Sequence, residues 1–321
     1  MSKILFIKNK LKNFNKKIQV SGDKSLSIRW VLLASQATGK SKAYNLLMSE
    51  DVLAAIDSIK KLGIKVRMHK GYCEIFGNGI NGFKYKKNLT INARNSGTLG
   101  RLILGLLIKS PYKIKLVGDK SLSKRDFSRV TLPLKKFGAK FYYKKKNKLP
   151  LSILGSQSPK GIKYLEKKGS AQCKSSVMLA ALNSSGTTSI KAKKSRNHSE
   201  LLFKYLKIPI KIKTVKKYDS IDIKQPKEIK AFNYQIPGDI SSSAFFMVLT
   251  ILTNNSKLLI KNVNINPSRI GVIIILKKIG AKILLKNKRN YRGERIADIL
   301  IESSNNLKAI NCPSELNSSA I

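Results

Sequence analysis

The sequence predicts an α/β fold made of tandem α+β repeats, and two recurring patterns carry that prediction. The first is a segment that ends alike three times: Lys60-Lys61-Leu62-Gly63-Ile64-Lys65-Val66, Lys135-Lys136-Phe137-Gly138-Ala139-Lys140-Phe141 and Lys277-Lys278-Ile279-Gly280-Ala281-Lys282-Ile283. Each follows an amphipathic stretch, such as Val52, Leu53, Ile56 and Ile59 ahead of the first copy. Each reads as a helix, a glycine just past its end, then a strand. Gly63 and Gly138 are 75 residues apart, Gly138 and Gly280 are 142 apart, and a weaker copy, Tyr205-Leu206-Lys207-Ile208-Pro209-Ile210, falls midway through the longer gap. The period is therefore 71 to 75 residues. The second pattern is another helix with the same period. It opens at Ser25, near Ser96, near Ser170 and at Ser241, in stretches rich in the N-capping residues Ser, Gly and Asp.

The elements follow in order within each repeat. The capped helix continues into an apolar run, over residues 30–34, 102–108, 177–182 and 244–252. Small or polar residues then lead to a strand, as at 187–190 and 257–260, and the amphipathic helix, glycine and second strand complete the unit. Self-similarity at such a period is itself a fold-level signal. Four units fit the chain. The strand region 206–223 runs through Gln225-Pro226-Lys227 into residues 234–239, read as a crossing between domains. Residues 20–235 are thus expected to form a three-repeat domain. Residues 1–19 with 236–321 are expected to form part of a second domain, holding one repeat.

Composition narrows the class. The chain has 321 residues, 42% of them hydrophobic, enough for packed cores and unlike a disordered tail. Its longest apolar run, 244–252, is half of what a membrane span needs, and the apolar residues 4–7 are too few for a secretory leader. Cys73, Cys173 and Cys312 lie far apart without a CxxC spacing and read as free thiols of a reducing cytoplasm. His69 and His198 are too few for a histidine-based metal site. The net charge is +47, but lysine is scattered through every segment among Asn and Ile, as solvated faces would have it and a nucleic-acid-binding stripe would not. Such a surface favours an anionic small substrate. Arginine supplies only 11 of the 64 basic residues, and Arg29, Arg101, Arg125 and Arg196 stand beside Ser/Gly-rich segments, where a planar fork suits carboxylate or phosphate.

Six motifs gather these features. In Gly22-Asp23-Lys24-Ser25-Leu26-Ser27-Ile28-Arg29, Ser25 is read as the helix cap, with Lys24 before it and Arg29 one turn in, so that lysine, hydroxyl and guanidinium can meet one anion at a positive helix end. An ordinary capped helix with two exposed cations would look the same. Asn95-Ser96-Gly97-Thr98-Leu99-Gly100-Arg101 repeats the arrangement. Gly118-Asp119-Lys120-Ser121-Leu122-Ser123-Lys124-Arg125 is a strand exit followed by clustered charge. Gly169-Ser170-Ala171-Gln172-Cys173-Lys174-Ser175 offers a cap and an amide that both donates and accepts. Ser195-Arg196-Asn197-His198-Ser199-Glu200 is a polar lead into a helix, in which His198 reads as structural. Pro237-Gly238-Asp239 precedes the last capped helix, with Asp239 as N-cap or hinge. Each is weak alone; together they place several cationic helix N-termini at matching points of a repeat. No phosphate-loop lysine motif or GxGxxG is present, so no nucleotide is implied.

In this order and over nearly the whole chain, the motifs resemble those of the 3-phosphoshikimate 1-carboxyvinyltransferases (EPSP synthases). The resemblance rests on Gly22-Asp23-Lys24-Ser25, Asn95-Ser96-Gly97-Thr98, Ser170-Ala171-Gln172, Ser195-Arg196-Asn197-His198 and Pro237-Gly238-Asp239. Ala171 with Lys174-Ser175 is similar to the glyphosate-tolerant class. The resemblance implies an inside-out α/β barrel architecture: two domains, each of three repeats, helices inside and sheets outside, the second domain being incomplete here. It implies transfer of the enolpyruvyl group of phosphoenolpyruvate to the 5-hydroxyl of shikimate 3-phosphate, releasing phosphate, in the route to chorismate and the aromatic amino acids. It implies no metal or organic cofactor, a cytoplasmic location, and a monomer with small-molecule partners and no specific nucleic acid.

Carried over residue by residue, the resemblance makes Lys24 the catalytic lysine that contacts both substrates. Lys24, Ser25, Arg29, Ser170, Ala171, Gln172 and Arg196 would hold shikimate 3-phosphate, with Arg29 on its carboxylate and Ser195 as a lesser contributor. Lys24, Gly97, Arg125 and Gln172 would hold phosphoenolpyruvate, with Arg101 and Asn95 shaping the loop. Ile28 departs from the polar residue the family shows there. Past a segment similar to Pro313-Ser314-Glu315-Leu316 the family continues into a proton-transferring aspartate, a later glutamate, a lysine pair and two arginines. The chain ends at Ile321, so transferase activity is not expected of these 321 residues. Two alternatives stay open within the anion-binding reading: a UDP-N-acetylglucosamine enolpyruvyltransferase, which carries a reactive cysteine in a mobile loop, and a non-catalytic anion-binding fragment. A basic nucleic-acid binder is the reading from another class.

Overall fold

A computed structural model of the chain describes residues 11–320; the apolar residues 4–7 lie outside them. The chain divides into two compact units. One, the inserted unit, is Gly22–Ile236. The other, the flanking unit, is Met1–Ser21 together with Pro237–Ile321.

Strand β1 (Asn15–Gln19) belongs to the flanking unit. The inserted unit then holds three repeats. The first is α1 (Lys24–Ser35), β2 (Thr38–Tyr44), α2 (Glu50–Lys61), β3 (Lys65–His69) and β4 (Tyr72–Asn78). The second is β5 (Thr90–Asn92), α3 (Gly97–Leu106), β6 (Ile114–Val117), α4 (Lys120–Ser123), α5 (Ser128–Lys135), β7 (Lys140–Tyr143) and β8 (Leu151–Leu154). The third is β9 (Lys163–Glu166), α6 (Ala171–Ala181), β10 (Thr187–Lys193), α7 (His198–Tyr205), β11 (Ile210–Val215) and β12 (Tyr218–Lys224). After β13 (Asn233–Gln235) the flanking unit resumes with α8 (Ile240–Leu252), β14 (Lys257–Asn264), α9 (Gly271–Lys278), β15 (Lys282–Tyr291) and β16 (Glu294–Glu302).

Every repeat builds the same sheet. The strand orders are β13-β2-β4-β3, β5-β6-β8-β7, β9-β10-β12-β11 and β1-β14-β16-β15. In each, the first pair is parallel and the others antiparallel. The period in the sequence is the recurrence of this sheet. In two sheets the parallel edge strand is distant in sequence: β13 pairs with β2 (Tyr234 opposite Ala43) and β1 with β14 (Ile18 opposite Ile260).

The recurring glycines sit where the helix ends demand them. Gly63, Gly138 and Gly280 have φ of +85°, +93° and +103°. At the first, the N–H of Ile64 donates to the carbonyl of Ile59 and that of Gly63 to Lys60, both at 3.0 Å, which satisfies two orphan carbonyls of α2. In the weaker copy Lys207 takes the same left-handed place, with φ +56°, and Ile208 donates back to Phe203 at 3.0 Å. The N-caps follow the predicted chemistry with one correction. Ser96 and Ser170 cap α3 and α6, and Asp239 caps α8. Ser25 does not cap α1: Asp23 does, its carboxylate accepting from the Leu26 N–H at 2.9 Å. Both residue types cap well. The helix therefore begins at Lys24, with Ser25 inside its first turn.

Helices α1 and α6 are buried on all sides over residues 26–35 and 173–181, as helices at the centre of a core must be. The sheets lie outside them in the inserted unit, and their strands alternate: in β10, Thr188, Ile190 and Ala192 are buried while Lys191 and Lys193 are exposed. Much of the positive charge rides on such outward positions. Helices α3 and α6 cross so closely that a Cβ on Gly105 would stand 2.1 Å from the Ser176 carbonyl oxygen. In the flanking unit, Ile240, Met247 and Ile251 of α8 join Leu258, Ile260, Val263, Ile299 and Ile301 in one core. The other side of α8 presents Phe245, 80% exposed, and Leu252, 67% exposed. Among the described residues no helix is long and apolar enough to cross a membrane.

Candidate functional site

Four helix N-termini of the inserted unit contribute to one cleft of about 360 Å³. Its lining is Lys24 from α1, Ser49, Glu50 and Asp51 at the start of α2, Asn95, Gly97 and Thr98 at the start of α3, Gln172 at the start of α6, and Arg125 just after α4. Each helix start carries N–H groups without a partner inside the helix and a positive dipole end, features that favour an anion. Lys24 and Arg125 add two cations, and Glu50 and Asp51 add two carboxylates. The Lys24 ammonium stands 3.2 Å from the Asp51 carboxylate, half exposed, a partner it can exchange for a ligand at little cost.

The polar side chains around the cleft are oriented by each other. Asn95 gives its amide N–H to Asp119 at 2.7 Å, which leaves its carbonyl oxygen to accept from Arg125 Nη2 at 3.3 Å. Arg101 Nη1 donates to the Gly97 carbonyl at 3.1 Å and to Gln172 Oε1 at 2.9 Å; the Gln172 amide N–H then points to Thr98 Oγ1 at 2.9 Å. Burial lowers the Arg101 pKa from its ordinary value, but a guanidinium stays charged. Gly97 is hemmed in by these cations: a Cβ there would meet Arg101 Nη1 at 2.7 Å and Arg125 Nη1 at 3.0 Å.

A second polar cluster surrounds Arg29, which is 4% exposed. Its Nε donates to Ser199 Oγ at 2.8 Å, its Nη2 to Ser175 Oγ at 3.0 Å and its Nη1 to the Ser25 carbonyl at 3.0 Å. The two hydroxyls are themselves 2.7 Å apart. Helix α1 thus meets α6 and α7 at this guanidinium.

Of the residues singled out by sequence, Lys24, Gly97, Arg125 and Gln172 line the cleft. Ser25 and Arg29 are joined to each other in the neighbouring cluster. Ser170, Ala171 and Arg196 do not line this cleft. Ser170 turns its hydroxyl back to the Cys173 N–H at 3.3 Å and gives its own N–H to Glu166 at 2.9 Å. Arg196 is half-buried just ahead of α7. Sequence reasoning passed over Asp51 and the buried Glu166 with its partner Arg129 at 3.1 Å, and quoted Asp119 in a motif without giving it a role. A helix-start acid such as Asp51 reads as a dipole complement, so nothing local marks it as the partner of Lys24. Ser175 and Ser199 stood inside quoted motifs without a role.

Neither buried thiol, Cys73 or Cys173, offers a nucleophile. Burial pushes Cys73 up to about 12 and raises Cys173 as well, so both stay protonated at neutral pH. Among the described residues no group of three or more His, Cys, Asp or Glu side chains is gathered as a metal site.

The sequence matches the family described as EPSP synthase (3-phosphoshikimate 1-carboxyvinyltransferase) over residues 8–313. It is 42% identical over 306 residues to the 3-phosphoshikimate 1-carboxyvinyltransferase of Ruthia magnifica subsp. Calyptogena magnifica, covering 95% of this chain and 68% of that protein. Against the enzyme of that name from Bacillus subtilis the identity is 37% over 305 residues, 94% of this chain and 70% of the relative. The fold is similar to a solved EPSP synthase from Acinetobacter baumannii, with a TM-score of 0.85 at 36% identity, covering 95% of this chain and 68% of that one. The ordered motifs, the recurring sheet and these matches agree: the chain belongs to the EPSP synthase family.

Proposed function

We propose that the chain carries out the substrate recognition of an enolpyruvyl transfer from phosphoenolpyruvate to the 5-hydroxyl of shikimate 3-phosphate. In that reaction the hydroxyl oxygen adds to C2 of phosphoenolpyruvate while its methylene carbon gains a proton. The tetrahedral adduct then loses phosphate and a methyl proton to restore the enol ether. The steps are proton transfers and C–O bond exchanges, so what a protein must supply is placement and charge stabilisation.

Lys24 is the catalytic residue, donating to both substrates from the first turn of α1. Arg125 and the N–H groups at the start of α3 take the phosphoenolpyruvate anion, with Gly97 leaving room for it. Gln172, its amide fixed by Arg101 and Thr98, bridges the two substrates. Arg29 with Ser25 holds the shikimate carboxylate, while Ser170, Ala171 and Arg196 receive its phosphate. The observation that carries the reading is the cleft itself, in which Lys24, Gly97, Arg125 and Gln172, residues up to about 150 positions apart, meet at a convergence of helix N-termini. The same reading makes the protein a cytoplasmic monomer without a specific nucleic-acid partner, in keeping with lysines scattered through every segment of the sequence.

Titration calorimetry of the chain with shikimate 3-phosphate, then with phosphoenolpyruvate, tests the assignment. Losing a hydrogen bond to a charged group removes about 1.5–3 kcal/mol. Lys24→Ala is therefore expected to weaken both ligands at least about tenfold. Arg125→Ala is expected to weaken phosphoenolpyruvate alone. Unchanged affinity for both ligands in Lys24→Ala would refute the reading.

A further inference from the structure

Behind Arg29 lies a charged pair that substrate recognition does not touch. Lys174 on α6 is 0% exposed and Glu200 on α7 is 4% exposed, with Nζ 2.5 Å from Oε1. Neither charged group has a hydrogen-bond partner among the described residues, so the two are held by charge. Two charges withdrawn from water hold a fold together no better than two well-packed apolar side chains of their size. What an ion pair adds is register. Its attraction is strongest at contact and weakens as the two ends part, whereas apolar side chains tolerate sliding.

The position of the pair says which register matters. Lys174 is followed directly by Ser175, and Glu200 is preceded directly by Ser199. Those two serines are the hydroxyls that grip Arg29 Nη2 and Nε, and they touch each other at 2.7 Å. Neighbouring residues of one helix move together. The separation that closes the ion pair is therefore also the one that sets both hydroxyls on the guanidinium. If α7 slid by one ångström, one of those hydrogen bonds would pass out of range.

We propose that the Lys174–Glu200 pair is a positioning device for recognition of the substrate carboxylate: it locks α6 to α7 so that Ser175 and Ser199 hold the Arg29 plane in its binding orientation. The inference rests on the reading of Arg29 as the carboxylate-binding cation.

Lys174→Met alone leaves a buried, unpaired carboxylate and is expected to lose stability for that reason. The decisive variant is therefore Lys174→Met/Glu200→Met, which removes both charges and keeps the volume. It is expected to unfold in urea at or above the parent's midpoint, yet to bind shikimate 3-phosphate about tenfold or more weakly, while phosphoenolpyruvate affinity moves less than about twofold. In an Arg29→Lys background, where the fork to be positioned is gone, the double replacement is expected to cost less than about twofold more. Glu200→Asp, which keeps the charge but shortens its reach, is expected to show a smaller loss of the same kind.

Four outcomes would overturn the inference. They are parental affinity in the double variant, an equal loss in both backgrounds, parental affinity in Glu200→Asp, or a double variant that does not fold, which would make the pair part of the fold alone. If Arg29→Lys by itself leaves shikimate 3-phosphate affinity unchanged, the placement of the carboxylate fails, a result separate from any effect of the pair.

Discussion

Replacing Gly97 by alanine separates binding from folding in opposite directions. The added methyl would stand 2.7 Å from Arg101 Nη1 and 3.0 Å from Arg125 Nη1, against an ordinary contact of 3.4 Å or more. Arg101 must then retreat by roughly 0.7 Å and Arg125 by roughly 0.4 Å. Both atoms are the far ends of flexible side chains, so the backbone need not move. An alanine in a helix is preferred to glycine by up to about 1 kcal/mol, so stability is expected to hold or rise slightly. The retreat is felt in the cleft. Arg101 gives up its bonds to Gly97 and Gln172 or drags Gln172 with it, and Arg125 is turned from Asn95. One charged hydrogen bond lost or misdirected is worth about 1.5–3 kcal/mol, a factor of about ten to one hundred and fifty in affinity. Calorimetric titration with phosphoenolpyruvate, in the presence of saturating shikimate 3-phosphate, is expected to show that loss. Shikimate 3-phosphate itself should lose less, since only the shared Gln172 is disturbed while Arg29 lies in the other cluster. Retained phosphoenolpyruvate affinity, or an equal loss for both ligands, would refute the reasoning.

Two further predictions concern the fold. Gly105→Ala would drive a methyl to 2.1 Å from the backbone oxygen of Ser176, where no flexible side chain can yield. A destabilisation of about 1–3 kcal/mol or more is expected, read as a lowered urea midpoint; a parental midpoint would mean that α3 and α6 are not in such close contact. Asp298, in the flanking unit, is a pH-dependent tie. Burial by itself would raise its carboxyl, but donors from Lys261, the Asn262 backbone and Asn287, each at 2.8 Å, more than offset this and hold it below its ordinary 3.8. A carboxylate lowered on folding contributes stability that is complete above the unfolded value and disappears as pH falls through the folded one. The stability gap between the parent and the Asp298→Asn variant should therefore be constant above the ordinary value of 3.8 and narrow below it, as measured by denaturant titration across that range. A gap that does not change with pH would assign it to packing.

What could be read from the sequence was set by how local the chemistry is. A helix that must end in a left-handed residue announces it with glycine, so three copies of the repeat were visible; Lys207 adopts that conformation without glycine, which is why the copy at 205–210 looked weak. The cap of α1 was placed two residues late, because Asp23 and Ser25 are equally plausible acceptors and only the backbone path decides between them. Lys24, Gly97, Arg125 and Gln172 stood out as cations and small or amide residues at helix starts, and the fold brings them to one cleft. The partners that orient them were not legible. Asp51, Asp119 and Glu166 are ordinary surface-type residues until distant segments meet. The same holds for β13, which completes the first sheet from almost two hundred positions away along the chain.

The path of the chain into and out of the inserted unit bears on how the protein assembles. Within that unit its two ends touch: a Cβ on Gly22 would stand 2.7 Å from the Ile236 side chain. Within the flanking unit Ser21 accepts a hydrogen bond from the Asp239 N–H at 3.0 Å. Pairing β1 with β14 across an unfolded stretch of the 215 residues Gly22–Ile236 would cost about 5 kcal/mol in loop closure. Once the inserted unit has folded, its adjoining ends remove most of that cost. Strand β1 is also synthesised tens of seconds before β14, at about 5–20 residues per second. The flanking sheet is thus a late product of folding. Damage to the inserted unit is inherited by the flanking one, whereas the inserted unit can reach its own structure without waiting for the rest.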